Sequence, residues 1–147
     1  MQYEFLKNFP RRMKNVGLYA VIVQNSVQKL SWKQYGFTKF DEQINLLFIV
    51  LLYIMEQSLK EEKCTMDDIA TYIDTINVQY MQKDISYEQC RKLGDFIVNT
   101  VLSNEGRPMY FGGYNFEKNE YEEMHISYVA NKIVYVENEV RRTSYYL

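Results

Sequence analysis

The stretch TMDDIATYIDTINVQYMQKDISYEQCRKLGDFIVNTVL, residues 65–102, decides how this chain is read. Thr65 stands three residues before Asp68, and Ser86 three before Gln89. Each pair is a capping box, the first with Asp in the place of Glu, in which a hydroxyl and a carboxyl or amide satisfy the free N–H groups of a helix start. Behind each cap the apolar residues recur at helical spacing. Ile69, Ile73, Ile76 and Tyr80 follow the first; Cys90, Leu93, Ile97 and Val101, with Phe96 and Leu102 beside them, follow the second. Gly94 costs the second helix about 1 kcal/mol relative to alanine, which the pattern survives. A helix from Met66 to about Tyr80, a turn over 81–85 and a helix from Ser86 onward make a helix-turn-helix pair.

Upstream, Ile44 to about Leu59 reads as a helix that is apolar on every side, and such a helix is buried or covered by neighbours. It is the candidate central helix. Residues 31–39 form a connection that Trp32, Tyr35 and Phe37 pin to the body. Before it, Val16, Ala20, Val23, Val27 and Leu30 recur at intervals of four, three, four and three. That is a helical stripe, a short coiled-coil-like seam, which packs on the domain core or pairs with another subunit; the core is the favoured reading. The β-branched run Val21–Val23 weakens helix propensity, so a strand there is the alternative. Residues 1–40 are thus an N-terminal helical extension and 41–147 the main domain.

Downstream the pattern becomes aromatic and alternating. Residues 109–116 resemble a small hairpin turning at Gly112-Gly113, and Glu117–Glu123 a solvated turn or strand edge. Residues 125–129 and 133–136 read as strands, with 140–147 as the last, or as one long hairpin folded around Glu137 and Asn138. Either supplies a wing. The fold class is α+β: a winged helix, helix-turn-helix plus C-terminal β-hairpin wing, with an additional N-terminal helix. A last strand that ends on Tyr145, Tyr146 and Leu147 points to the N-terminal part of a longer protein.

With 147 residues, 47% of them apolar, the chain can build one sizeable core. Its net charge of −2 gives no global attraction to nucleic acid. The apolar run Leu46–Met55 is too short to span a bilayer, and the first ten residues lack the pattern of a secretory signal. No membrane contact and a cytoplasmic location are the expectation. Tyrosine supplies 14 of the residues, a type favoured at interfaces because it buries a ring and keeps a hydroxyl.

Catalytic chemistry finds little to work with. His125 is the sole histidine, and a general base needs a proton partner and an orienting group. Cys90 sits on an apolar stripe and Cys64 has no base near it in sequence. Asp67 and Asp68 suit a helix start, where acids favour the dipole. Glu117, Glu120, Glu122 and Glu123 have no spacing that selects a metal. The expectation is no enzyme, no metal and no cofactor. A DNA-binding transcriptional regulator is the alternative to a protein-interaction module, with Arg91, Lys92, Lys132, Arg141 and Arg142 as contacts, joined by Lys14. Arg91 and Lys92 are offset by nearby acids, however, and phosphate affinity needs several charges together.

The apolar helix from Ile44, the paired helices from Met66 and Ser86, and the ending Arg141-Arg142-Thr143-Ser144-Tyr145-Tyr146-Leu147 resemble the N-terminal winged-helix region of bacterial kleisin-like proteins, the class that includes MukF and the JetA subunit of the Wadjet plasmid-defence system. The resemblance covers about two thirds of the chain and is architectural, so no functional residue carries over; the N-terminal helix departs from it. It implies a non-enzymatic part of a chromosome-maintenance or defence complex. Such a module contacts a like subunit or a coiled-coil ATPase partner, and DNA is encircled or touched weakly. A protein partner or homodimer through Val16, Ala20, Val23, Val27 and Leu30 is the expected assembly.

Overall fold

The computed structural model describes residues 4–26, 30–127, 130–136 and 140–146, the last two segments as backbone paths. Five α-helices precede two antiparallel hairpins: α1 (Phe9–Ser26), α2 (Leu30–Gln34), α3 (Phe40–Leu59), α4 (Met66–Ile76), α5 (Tyr87–Asp95), then β1 (Met109–Asn115), β2 (Glu120–Ile126), β3 (Ala130–Val136) and β4 (Val140–Tyr146). The architecture is α+β and winged-helix-like.

Both capping boxes form. The Thr65 hydroxyl accepts from the Asp68 N–H, and the Asp68 carboxylate accepts from the Thr65 N–H at 2.9 Å. Ser86 and Gln89 repeat the exchange at 3.2 and 2.8 Å. Ile69 and Ile73 are buried as their spacing requires, but Tyr80 is 72% exposed. The reason is a π-helical turn over Asn77–Met81. Its extra residue per turn rotates the inward face from Ile76 and Tyr80 onto Asn77. The buried Asn77 amide then closes the helix-turn-helix turn, donating to the Lys83 carbonyl and accepting from the Lys83 N–H, both at 2.8 Å.

In α5 and the π-helical segment Phe96–Leu102, Cys90, Leu93, Phe96, Ile97, Val101 and Leu102 are all buried. Gly94 has a packing reason. A Cβ there would stand 3.2–3.3 Å from Ile69, Ile73 and Met66, so glycine lets α5 lie close on α4. Trp32 and Phe37 are fully buried, with the Trp32 ring edge-on to Phe96 at 5.3 Å. The connection they pin contains the short helix α2.

The central helix starts four residues earlier than its apolar pattern, with Asp41 and Glu42 in its first turn. Leu46, Leu47, Val50 and Ile54 are buried in one cluster with Ile69, Ile73, Leu93 and Ile97. Its far side is not covered as expected: Leu52, Met55 and Leu59 are exposed. Among the described residues, the neighbours close one side of α3.

The first hairpin differs from its sequence reading. β1 runs unbroken through Gly112 and Gly113, and the turn falls at 116–119 instead. Asn115 Oδ1 accepts there from the N–H groups of Glu117 and Lys118, and Asn119 takes the left-handed conformation at φ 56°. Gly113 is required by tertiary packing: a Cβ would lie 2.7 Å from the Cα of Pro10 in α1. Likewise Gly17 of α1 receives the Phe111 ring, which a Cβ would meet at 2.7 Å. Val21, Met109 and Ile126 form a second small core here, with Leu18 and Phe111 against it. The second hairpin pairs Val136 with Val140; residues 137–139, where the sequence reading set the fold of a long hairpin, lie outside the described residues. Residues 130–132 belong to β3, so this strand starts three residues before the stretch 133–136 read from the sequence. The backbone of β4 approaches α3 and α4.

Candidate functional site

The helix-turn-helix surface is the first place to look for a ligand. On α5 the exposed positions include Glu88, Arg91, Lys92 and Asp95. Arg91 Nε lies 3.3 Å from Asp67 Oδ1 on α4, and both side chains are about half exposed. One of the two cations is therefore matched across the helix pair, and Lys92 stands between Glu88 and Asp95 in sequence. Lys132 lies opposite Ser144 in the second hairpin, Arg142 opposite Val134 and Arg141 opposite Tyr135. Arg141 and Arg142 occupy consecutive strand positions, and these alternate between the two sides of a hairpin.

Of the N-terminal stripe, Val16, Ala20 and Val23 lie on α1 and Leu30 lies on α2. α1 is described as far as Ser26, Val27 lies outside the described residues, and Leu30 opens α2 and is 72% exposed. Within α1 the buried residues are Gly17, Val21, Ile22 and Ser26. At 100° per residue these sit on the side opposite Val16, Ala20 and Val23. Val16 is exposed, and Ala20 and Val23 are half-buried. The favoured core role thus passes to the β-branched pair Val21-Ile22, because Gly17 lets that face meet the first hairpin closely.

Between α1 and α3 lies an apolar opening of about 400 Å³, lined by Leu18, Tyr19, Ile22, Phe48, Leu51, Leu52, Met55 and Ser127. Tyr19 is 60% exposed, its ring 5.8 Å from that of Phe48, and Leu52 is 55% exposed. The spacing of Phe48, Leu52, Met55 and Leu59, four, three and four, aligns them along one side of the helix. The whole of α3, longer than the apolar run Leu46–Met55, is long and apolar enough to cross a bilayer by length and composition only. Its opposite side is nonetheless a face of the protein core. Sequence reasoning missed this groove, because an all-round apolar helix does not reveal which side its neighbours leave open.

The polar candidates are placed as follows. Cys64 and Cys90 are buried thiols. Burial pushes Cys64 up to about 12; burial and the nearby Asp74 carboxylate push Cys90 up to about 11. Neither is a thiolate near neutral pH, so neither is poised as a nucleophile. His125 is exposed on β2, its ring 5.5 Å from that of Tyr110. Among the described residues no three His, Cys, Asp or Glu side chains are grouped to hold a metal. Lys83 forms a half-buried ion pair with Glu42 and stands 5.6 Å above the Phe37 ring, tying the helix-turn-helix turn to the start of α3.

Comparison with protein-family models, with curated proteins and with solved structures finds no match to this chain. The fold defines the class: a winged-helix-like architecture, consistent with a protein- or DNA-interaction module.

Proposed function

We propose that the chain is a non-enzymatic, winged-helix protein-interaction module, joining a second copy or a helical partner within a chromosome-maintenance or plasmid-defence complex. The observation that carries this is the exposed apolar side of α3 beside Tyr19. Contiguous apolar surface rimmed by polar groups marks an association site more often than a bare solvent face. The pairing of Arg91 with Asp67 adds to it, since it leaves the helix-turn-helix surface without the cluster of free cations that duplex binding draws on. The likeness to kleisin-like proteins in helix order supplies the choice of complex.

Sedimentation velocity at micromolar concentration tests the reading, with Leu52→Glu as the comparison. The wild type is expected to self-associate or to capture a partner, and the variant to lose this with its circular dichroism unchanged. A strict monomer that captures nothing ends the proposal. Salt-sensitive binding to duplex DNA by that monomer would establish the regulator in its place.

A further inference from the structure

The side of the first hairpin that faces away from α1 carries four aromatic rings and one carboxylate. In the register of β1 and β2, Tyr110 pairs with His125, Gly112 with Glu123, and Tyr114 with Tyr121. Cross-strand partners share a side of the sheet. The alternate residues Phe111 and Gly113 are the ones that touch α1. Tyr110 is 56% and Tyr121 74% exposed, and His125 and Glu123 are exposed as well. Tyr110 pairs with His125 at 5.5 Å, and the half-buried Tyr114 stands edge-on to Tyr121 at 5.1 Å and to Phe116 of the turn at 4.9 Å.

Gly112 lies between the pairs. Its φ is not left-handed, and a Cβ would meet only Tyr121 at an ordinary 3.6 Å. Neither the backbone nor the packing demands glycine there. What it does is leave a bare strip of strand between two aromatic ridges. Glu123, its cross-strand partner, makes no ion pair among the described residues. The pairs are four strand residues apart, about 13 Å at the rise of a strand. That is the length of about four residues in polyproline II conformation.

We infer that this face binds an extended, proline-rich segment of a partner protein that carries a basic residue: the rings pack on prolines, the segment crosses Gly112, and Glu123 takes the cation. Stiff polyproline II segments dock in aromatic-lined grooves at low entropic cost. The carboxylate selects a cationic peptide over a nucleic-acid strand, whose phosphates it repels. The inference rests on the reading of the chain as a protein-interaction module and adds the chemistry of one partner segment, at a surface separate from the α1–α3 groove.

The test uses the full chain and two fluorescein-labelled probes, a proline-rich decapeptide with one central arginine and its all-proline analogue, followed by anisotropy. The arginine peptide is expected to bind more tightly than the analogue. Glu123→Gln is expected to erase that difference. Gly112→Ile fills the strip with a residue that suits strands, and is expected to weaken both peptides at least tenfold while the unfolding midpoint holds. No binding of either peptide, or binding that Gly112→Ile leaves intact, overturns the inference. So does tighter binding of an oligothymidylate probe of matched length. Sedimentation of Gly112→Ile separates the two proposals: association through α3 persists in it if only this inference fails.

Discussion

Gly112 and Gly113 are neighbours in one strand, and replacing each by alanine separates tertiary packing from backbone entropy. Both lie in β1 outside the left-handed region, so alanine fits the backbone at either position. Either change also shrinks the freedom of the unfolded chain, a gain of about 0.4–1 kcal/mol common to the two variants. Their surroundings differ. At residue 112 the new methyl meets Tyr121 Cδ1 at 3.6 Å, an ordinary contact. At residue 113 it meets Pro10 Cα at 2.7 Å, Pro10 O at 3.1 Å and Met124 Cε at 3.2 Å. Carbon pairs rest at about 3.5–4.0 Å, so the start of α1 must retreat by about 1 Å, and a main chain cannot swing aside as a side chain can. Overpacking of this kind costs about 1–3 kcal/mol. Because the entropy gain cancels between the variants, the same figure is the expected gap in stability, with Gly112→Ala at or above the wild type and Gly113→Ala below it. For a domain near this size each kcal/mol moves the melting midpoint by about 2–4 °C. Urea and thermal unfolding followed by circular dichroism measure the gap. Equal midpoints for the two variants would refute the docking of α1 on the first hairpin.

Asn77→Ala removes both bonds to Lys83 and leaves its part-buried N–H unmatched, at about 1–3 kcal/mol, while the Lys83 carbonyl keeps the Ile85 N–H at 3.0 Å; urea unfolding is expected to show that loss, with Asn77→Asp less affected because it keeps the acceptor. Glu42 is held below its ordinary carboxyl value of 4.5, chiefly by the hydrogen bond from Lys83. A lowered folded-state pKa stabilises the fold above the unfolded value, and that stabilisation fades as the pH falls through the lowered one. Lys83→Met is therefore expected to flatten this part of the acid-side decline in urea midpoints, and an unchanged profile would show that the ion pair has no such role. Cys64 and Cys90, buried and held as thiols, are expected to resist iodoacetamide at mildly alkaline pH in the folded chain and to react promptly in urea; mass spectrometry reads the adducts.

What the sequence made legible was local. The boxes at Thr65 and Ser86 are chemistry within four residues, and they formed where the residue types placed them. The buried stripe from Cys90 to Leu102 followed from spacing alone. The misreadings share one cause, which is that tertiary contact chose between locally equal options. Gly112-Gly113 matches a two-residue hairpin turn, but Pro10 needs Gly113 inside a strand, and Asn115 and Asn119 can turn the chain four residues later. On α1 the stripe Val16-Ala20-Val23 and the face Gly17-Val21 have equal periodicity. The lack of a side chain at Gly17, not the hydrophobic count, decides which one meets Phe111. The π-helical turn at Asn77 breaks the 3.6-residue period itself, so extrapolating the isoleucine spacing to Tyr80 fails. The aromatic side of the first hairpin was hidden by the same glycine misreading, for Tyr110 and Tyr114 share a face only if the strand runs through residues 112 and 113.

The consecutive residues Val21 and Ile22 explain why these surfaces belong together. Val21 enters the small core under the first hairpin, and Ile22 enters the large core of the helical body. One turn further, Asn25 donates to the Val101 carbonyl at 3.1 Å and lies 3.2 Å from the Met109 sulfur, bridging the end of the body to the start of β1. Thus α1 joins two cores that the short link from Leu102 to Met109 would not by itself hold in register. A helix that serves two cores has half its circumference committed. Its opposite side, with Val16 and Ala20, is left outward, and its edge at Tyr19 borders the open side of α3. Because α1 holds the hairpin by Phe111 and Gly113, the alternate residues Tyr110, Tyr114 and Tyr121 must face the other way. The outward apolar groove and the outward aromatic sheet are thus two consequences of one packing choice, made by the glycines at 17 and 113.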